Sequence, residues 1–133
     1  MVLDTSALIA IILAEPEMAS FSAIVADAKT VRISAASYVE ASIVLAMRGQ
    51  GLNPRGVEEF VRLFGIQIEP VTAEQARLAS SAFLTFGKGL HPARLNYGDC
   101  FTYALAKAVR EPLLYKGNDF AQTDIEPALK PMQ

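Results

Sequence analysis

Short apolar runs alternate along this chain with longer stretches in which apolar residues recur every three or four positions. Met1–Leu3 is apolar and stops at Asp4, which predicts a strand running into a turn. Thr5–Leu13 predicts a first helix, with Asp4, Thr5 and Ser6 all able to cap it. Glu15-Pro16-Glu17 breaks that helix and starts a second, with Pro16 in a tolerated first-turn position. Met18, Phe21, Ile24 and Val25 give the second helix its apolar face. Val31–Ser34 predicts a second strand. Ser37 then caps a helix to about Met47, which Gly49 and Gly51 end. Asn53-Pro54 opens a helix carrying Val57, Phe60, Val61 and Phe64, and Gly65 stops it. Ile66–Ile68 predicts a third strand, and Thr72 begins a helix to about Phe86. Gly87–Asn96 holds two glycines and a proline and predicts a loop. Tyr97–Val109 predicts a nearly all-apolar helix and Pro112–Tyr115 a fourth strand. Lys116-Gly117-Asn118 predicts a turn, and the remainder is irregular.

Strands that alternate with helices imply an α/β fold, a three-layer α/β/α sandwich around a mainly parallel sheet. A length of 133 residues suits one domain over 1–133. Composition changes this picture little: 52% of residues are hydrophobic, enough for a core. The apolar run Ala7–Ala14 is shorter than the roughly 20 residues a bilayer span needs. With no basic segment before it, it is also a poor secretory signal. The single cysteine, Cys100, forms no internal disulfide, so a soluble, cytoplasmic protein is expected. The formal net charge is −2, so overall charge lends no support to a nucleic-acid partner.

In parallel sheets ligands sit beyond the carboxyl ends of the strands, and acidic residues collect there. Asp4 follows the first strand and reads equally well as a helix cap. Glu40 shares a helical face with Ala36, Val44 and Met47. It either interrupts an apolar stripe or lies at its edge. Asp99 is the one charged residue in the stretch Gly98–Ala106, and also a first-turn acid that the helix dipole favours. Asp119 follows the fourth strand and reads alone as an ordinary turn aspartate. Converging on one rim, four carboxylates repel and call for positive charge. A hard divalent cation with oxygen ligands, Mg²⁺ or Mn²⁺, answers that need. His91 is the lone histidine, which argues against a zinc site.

Four segments carry a resemblance: Val2-Leu3-Asp4-Thr5-Ser6-Ala7-Leu8, Ser37-Tyr38-Val39-Glu40, Leu95-Asn96-Tyr97-Gly98-Asp99-Cys100, and Leu113 through Phe120. In this order and spacing, the chain resembles VapC-type toxins of the PIN-domain family over essentially its full length. The resemblance implies a Mg²⁺- or Mn²⁺-dependent endoribonuclease, a homodimer and a cognate VapB-like antitoxin. It implies Asp4, Glu40, Asp99 and Asp119 as catalytic and metal-site acids, and Ser6 as the residue that orients the first acid or a water. Many relatives carry an acid where this chain has Asn118. Asp124 is a spare acid nearby, and Asp119 is preferred to it.

The expected reaction is in-line attack of a metal-activated water on an RNA phosphate, with Glu40 able to orient or deprotonate that water. Arg48, Lys88, Arg94 and Lys116 are candidates for substrate contact, although each reads alone as a solvated charge. Tyr97 and Tyr115 are candidates for stacking on bases, or for core. The apolar residues Ile9, Ile11, Ile12, Leu13, Phe21, Ile24, Phe60 and Phe64 are mostly core, with any exposed members forming an antitoxin groove. One alternative is a haloacid-dehalogenase-like phosphohydrolase, which expects a second acid where Ser6 stands. A response-regulator receiver expects paired acids near strand one. A catalytically silent PIN-like binding module is the third alternative.

Overall fold

The computed structural model describes residues 1–48 and 55–129. The order of elements is β1 (Val2–Leu3), α1 (Thr5–Ile12), α2 (Met18–Asp27), β2 (Arg32–Ser34), α3 (Ala35–Arg48), α4 (Gly56–Leu63) and β3 (Gln67–Glu69). Then follow α5 (Ala73–Phe86), α6 (Tyr97–Val109), β4 (Leu113–Leu114) and a 3₁₀ turn over Phe120–Gln122. The sheet runs β3-β2-β1-β4 and every pairing is parallel. Parallel strands require crossovers, and here every crossover is helical.

Alternation along the strands builds the two cores. Val2 and Leu113 face one side and pack with α5, α6, Leu95, Phe120 and Ile125. Leu3 and Leu114 face the other and pack with α1 to α4. Strands buried on both faces read as continuous apolar runs, as Val2-Leu3 and Leu113-Leu114 do, whereas β2 and β3 keep Arg32, Gln67 and Glu69 at partly or fully exposed positions. The expected three-layer sandwich is the observed one. Among the described residues no helix is long and apolar enough to cross a membrane.

Besides shifts of a residue at strand ends, three features differ from expectation. α3 starts at Ala35, directly from β2, so Ser37 lies inside the helix and is not its cap. The Ser34 hydroxyl accepts the Ala36 N–H instead, at 3.2 Å. α2 begins at Met18, with Pro16 in the preceding turn and Glu17 as the cap. The segment after Lys116 is not wholly irregular: it holds the 3₁₀ turn, and Pro127 pairs with Leu113. The expected helix stop at Gly49 and Gly51, and the start at Asn53-Pro54, fall outside the described residues.

Away from the carboxyl ends, Glu111 ties the sheet together. Its carboxylate holds the Arg32 guanidinium at 2.9 Å and pairs with the Met1 ammonium. Arg32 also reaches Glu69 at 2.6 Å. Burial pushes the Glu111 carboxyl up, but the ammonium and guanidinium outweigh it and hold it below the usual range.

Candidate active site

Asp4 is buried at the carboxyl end of β1, and both of its oxygens are held. Oδ2 accepts the Ser6 N–H at 3.0 Å and the Ser6 hydroxyl at 2.6 Å. Oδ1 accepts the Thr102 hydroxyl at 2.8 Å. The capping role read from sequence is therefore observed, and the other oxygen is held from α6. Ser6 also accepts the Lys116 N–H at 2.9 Å, joining β1 to the chain that leaves β4.

Glu40 is half-buried on α3. The stripe of α3 that is buried runs Ser37, Ala41, Leu45, one position off the stripe expected to hold Glu40, and Met47 is 80% exposed. Glu40 thus sits at the edge of the core, where its carboxylate reaches a cavity and not the apolar interior. That carboxylate lies against the start of α6: a Cβ added at Gly98 would fall 2.0 Å from Oε2. Glycine at this position allows the two helices to bring their acids together.

Asp99 closes a capping box at the start of α6. Asn96 Oδ1 accepts the Asp99 N–H at 2.9 Å, and Asp99 Oδ2 accepts the Asn96 N–H at 3.0 Å. Its carboxyl is pushed up to about 7. Burial is the largest cause; the Asn96 N–H opposes it, and the charges of Asp4, Asp119 and Glu40 add to it.

Asp4, Ser6, Glu40 and Asp99 line one cavity of about 450 Å³, together with Glu15, Arg48 and Lys116. Of the four expected basic contacts, then, Arg48 and Lys116 are at the cavity. Lys88 and Arg94 lie exposed in the α5–α6 connection, a loop closed by the Gly87–Leu95 bridge, and do not line it. Asp119 is exposed and does not line the cavity, although its charge reaches Asp99. Asn118 lines a neighbouring hollow with Lys116 and Tyr115. Asp124 is not available as a spare acid. It accepts the Tyr103 hydroxyl and the Lys107 ammonium, both at 2.7 Å, beside Arg110 in a separate hollow. Tyr97 is 80% exposed, whereas Tyr115 is half-buried with its ring 5.3 Å from that of Phe120.

Sequence reasoning missed Glu15, which it treated only as a helix break. Glu15 lines the cavity mouth and holds both of its cations, Lys116 at 3.3 Å and Arg48 at 3.6 Å. Lys116 also meets Glu17 at 3.1 Å, and this contact raises the lysine pKa and lowers that of Glu17. No local signal marks these pairs, since Glu15 and Lys116 stand 101 positions apart. Thr102 was also missed, though a hydroxyl one turn after Asp99 in an otherwise apolar helix was a readable sign.

Among the described residues no group of three or more His, Cys, Asp or Glu side chains is drawn close enough, as placed, to hold a metal ion. The donor chemistry nevertheless fits a hard divalent cation: the acids supply only oxygen, and their mutual repulsion is what a cation relieves. The elevated Asp99 pKa has a consequence for the metal-free fold. The folded state binds more protons than the unfolded chain between the ordinary aspartate value and about 7. Stability from this group is therefore greatest at low pH and falls as pH rises through that window. We expect the Tm of metal-free protein to drop as pH rises from the ordinary aspartate value to about 7, and to level off above it. Asp99→Asn should flatten that drop, and divalent metal should reverse it in the unmodified protein. Parallel pH curves for the two proteins, followed by circular dichroism, would refute this.

The PIN domain matches residues 1–126. Ribonuclease VapC28 of Mycobacterium tuberculosis is 48% identical over 130 residues, covering 97% of this chain and 98% of the relative. Among solved structures, M. tuberculosis VapC20, described as a sarcin-ricin loop cleaving toxin, superposes with a TM-score of 0.75 at 16% identity over 98% of each chain. A toxin–antitoxin complex from Klebsiella pneumoniae superposes with a TM-score of 0.68 at 18% identity over 92% of each chain. These two share the fold. The phosphohydrolase and receiver alternatives are set aside by the family match, and the chain belongs to the PIN-domain family, among the VapC ribonucleases.

Proposed function

We propose that this ribonuclease, the toxin of a toxin–antitoxin pair, cleaves RNA at the cavity between β1, α3 and α6. Asp4, Glu40 and Asp99 hold Mg²⁺ or Mn²⁺ there, with Asp119 as the fourth acid at the rim. The observation that carries the proposal is that three carboxylates from three separate elements face one cavity, and that the charges of the other acids help drive Asp99 up to about 7. A divalent ion in this cavity supplies water activation and charge neutralisation on the phosphate. Ser6 and Thr102 orient Asp4. Glu40, at the open edge, takes the proton of the attacking water. Arg48 and Lys116 meet the RNA backbone once phosphate displaces Glu15 and Glu17 from them.

The same proposal includes a VapB-like antitoxin, a homodimer and a cytoplasmic setting. Most apolar residues of α1 and α2 are packed inside. α3 and α4 leave Val39, Ile43, Met47 and Leu63 exposed. α3 also carries Glu40 and Arg48 at the cavity. An antitoxin helix laid on that apolar strip covers the mouth of the site.

The test is to titrate Mg²⁺ and Mn²⁺ into purified, chelator-stripped protein while following cleavage of a mixed RNA pool. Cleavage should be absent after stripping and return with either ion. Cleavage that persists in excess chelator would overturn the proposal, and binding without cleavage would favour the silent module.

A further inference from the structure

Beneath the cavity lies a chain of buried hydroxyls that the acid set does not explain by itself. Thr102 on α6 is fully buried and Ser37 on α3 nearly so. Their hydroxyl oxygens are 3.0 Å apart, and Thr102 donates to Asp4 Oδ1 at 2.8 Å. Because the Thr102 proton goes to Asp4, the Ser37 hydroxyl is the donor to Thr102. Thr5, the residue after Asp4, closes the loop by donating to the Ser37 carbonyl at 3.2 Å. A buried hydroxyl without a partner is costly, so this chain has one low-energy arrangement, and that arrangement fixes the Asp4 carboxylate.

The spacing gives the chain its meaning. Ser37 stands one turn before Glu40 on α3, and Thr102 one turn after Asp99 on α6. Residues three apart share a helix face. The hydroxyls therefore join, one layer deeper, the same three elements whose acids line the cavity above. We propose that Thr102, relayed by Ser37, is a positioning residue that holds Asp4 in register with Glu40 and Asp99 for cation binding. This rests on the metal-site reading above. Thr102 touches neither substrate nor ion; it acts through Asp4. Groups behind a metal ligand characteristically change metal affinity by about 10–100-fold when removed.

The experiment is calorimetric titration of Mn²⁺ into chelator-stripped protein at pH 8, well below the melting temperature. The proteins are the unmodified chain, Thr102→Val, Thr102→Ser and Ser37→Ala. Thr102→Val keeps the volume and removes the hydroxyl, and should weaken Mn²⁺ binding by about 10–100-fold. Thr102→Ser restores the donor and should recover most of the affinity. Ser37→Ala removes the outer link and should weaken binding by less. In cleavage assays the loss in Thr102→Val should shrink at saturating Mn²⁺, because the fault lies in holding the ion.

If the unmodified chain and Thr102→Val bind Mn²⁺ equally, the positioning role is overturned and the metal site stands. If the unmodified chain itself binds no Mn²⁺, the metal-site reading fails and takes this role with it. Should Thr102→Val not fold, Ser37→Ala decides: binding equal to the unmodified chain overturns the relay, and weakened binding with an unchanged Tm supports it.

Discussion

Asp4→Asn is expected to lower metal-dependent RNA cleavage by at least about 10²-fold while leaving the fold in place. The substitution changes no volume and removes one negative charge from the cavity. Asparagine remains a good helix cap, so its oxygen can keep accepting from the Ser6 N–H and hydroxyl. Its amide nitrogen then faces Thr102, where the carboxylate oxygen stood. The hydroxyl chain can run the other way to meet it, with Thr102 accepting from the amide and donating to Ser37. Both hydroxyl oxygens keep a hydrogen-bond partner, and the Tm should hold within a few degrees. The charge has no such substitute. Cleavage rates at saturating Mg²⁺, measured beside circular dichroism melts, check both halves. Cleavage as fast as in the unmodified protein would show that Asp4 is a cap and nothing more.

Leu3→Ala should be the most damaging of the single core truncations adjoining the site. Leu3 lies in β1, between β2 and β4, and is fully buried among α1, α2 and Leu114. Truncation removes transfer energy and leaves a cavity that a rigid parallel sheet closes poorly. The expected loss is roughly 3 kcal/mol, or about 10 °C in Tm for a chain of this length. The effect on chemistry should be separable. Leu3 precedes Asp4, and Asp4 donates its N–H to Leu114 at 3.0 Å, so the backbone ladder still places the acid. Below the lowered melting temperature, cleavage should persist within about tenfold, since no charged group is lost. A melting temperature unchanged within 2–3 °C, against the shift expected for such a cavity, would contradict the packing described here.

The two outcomes contrast positions that look similar in sequence, an apolar residue and the acid beside it. On the proposed reading, Leu3 serves folding and Asp4 serves chemistry. The boundary between them is the end of β1, where the sheet stops and the rim begins.

Much of the molecule was legible from residue order. Strands that alternate with helices implied a parallel sheet between helix layers. The acids at the strand ends followed from where such sheets bind ligands. Asp99 was visible as the single charge in an apolar helix, and Asp4 as the stop of the first strand. Segment spacing carried the family resemblance over the whole chain. Ser37 was misread as a cap because serine before an apolar run is the usual signal for one. Here β2 passes directly into α3, and only the fold turns that hydroxyl toward α6.

What the sequence determined by itself is local or periodic: the elements, a parallel sheet between helix layers, and the positions of Asp4, Glu40 and Asp99 on those elements. These depend on side chains a few positions apart, whose geometry the backbone dictates. The tertiary structure alone decided which charges meet. Glu15 holding Lys116 and Arg48, Asp124 taken by Tyr103 and Lys107, and Thr102 reaching Asp4 across 98 positions are contacts between distant segments. A polar side chain's partner is set by packing of whole elements, and a shift of one position on a helix face sends it elsewhere. Glu40 shows this directly, standing one position off the buried stripe of α3 and therefore facing the cavity.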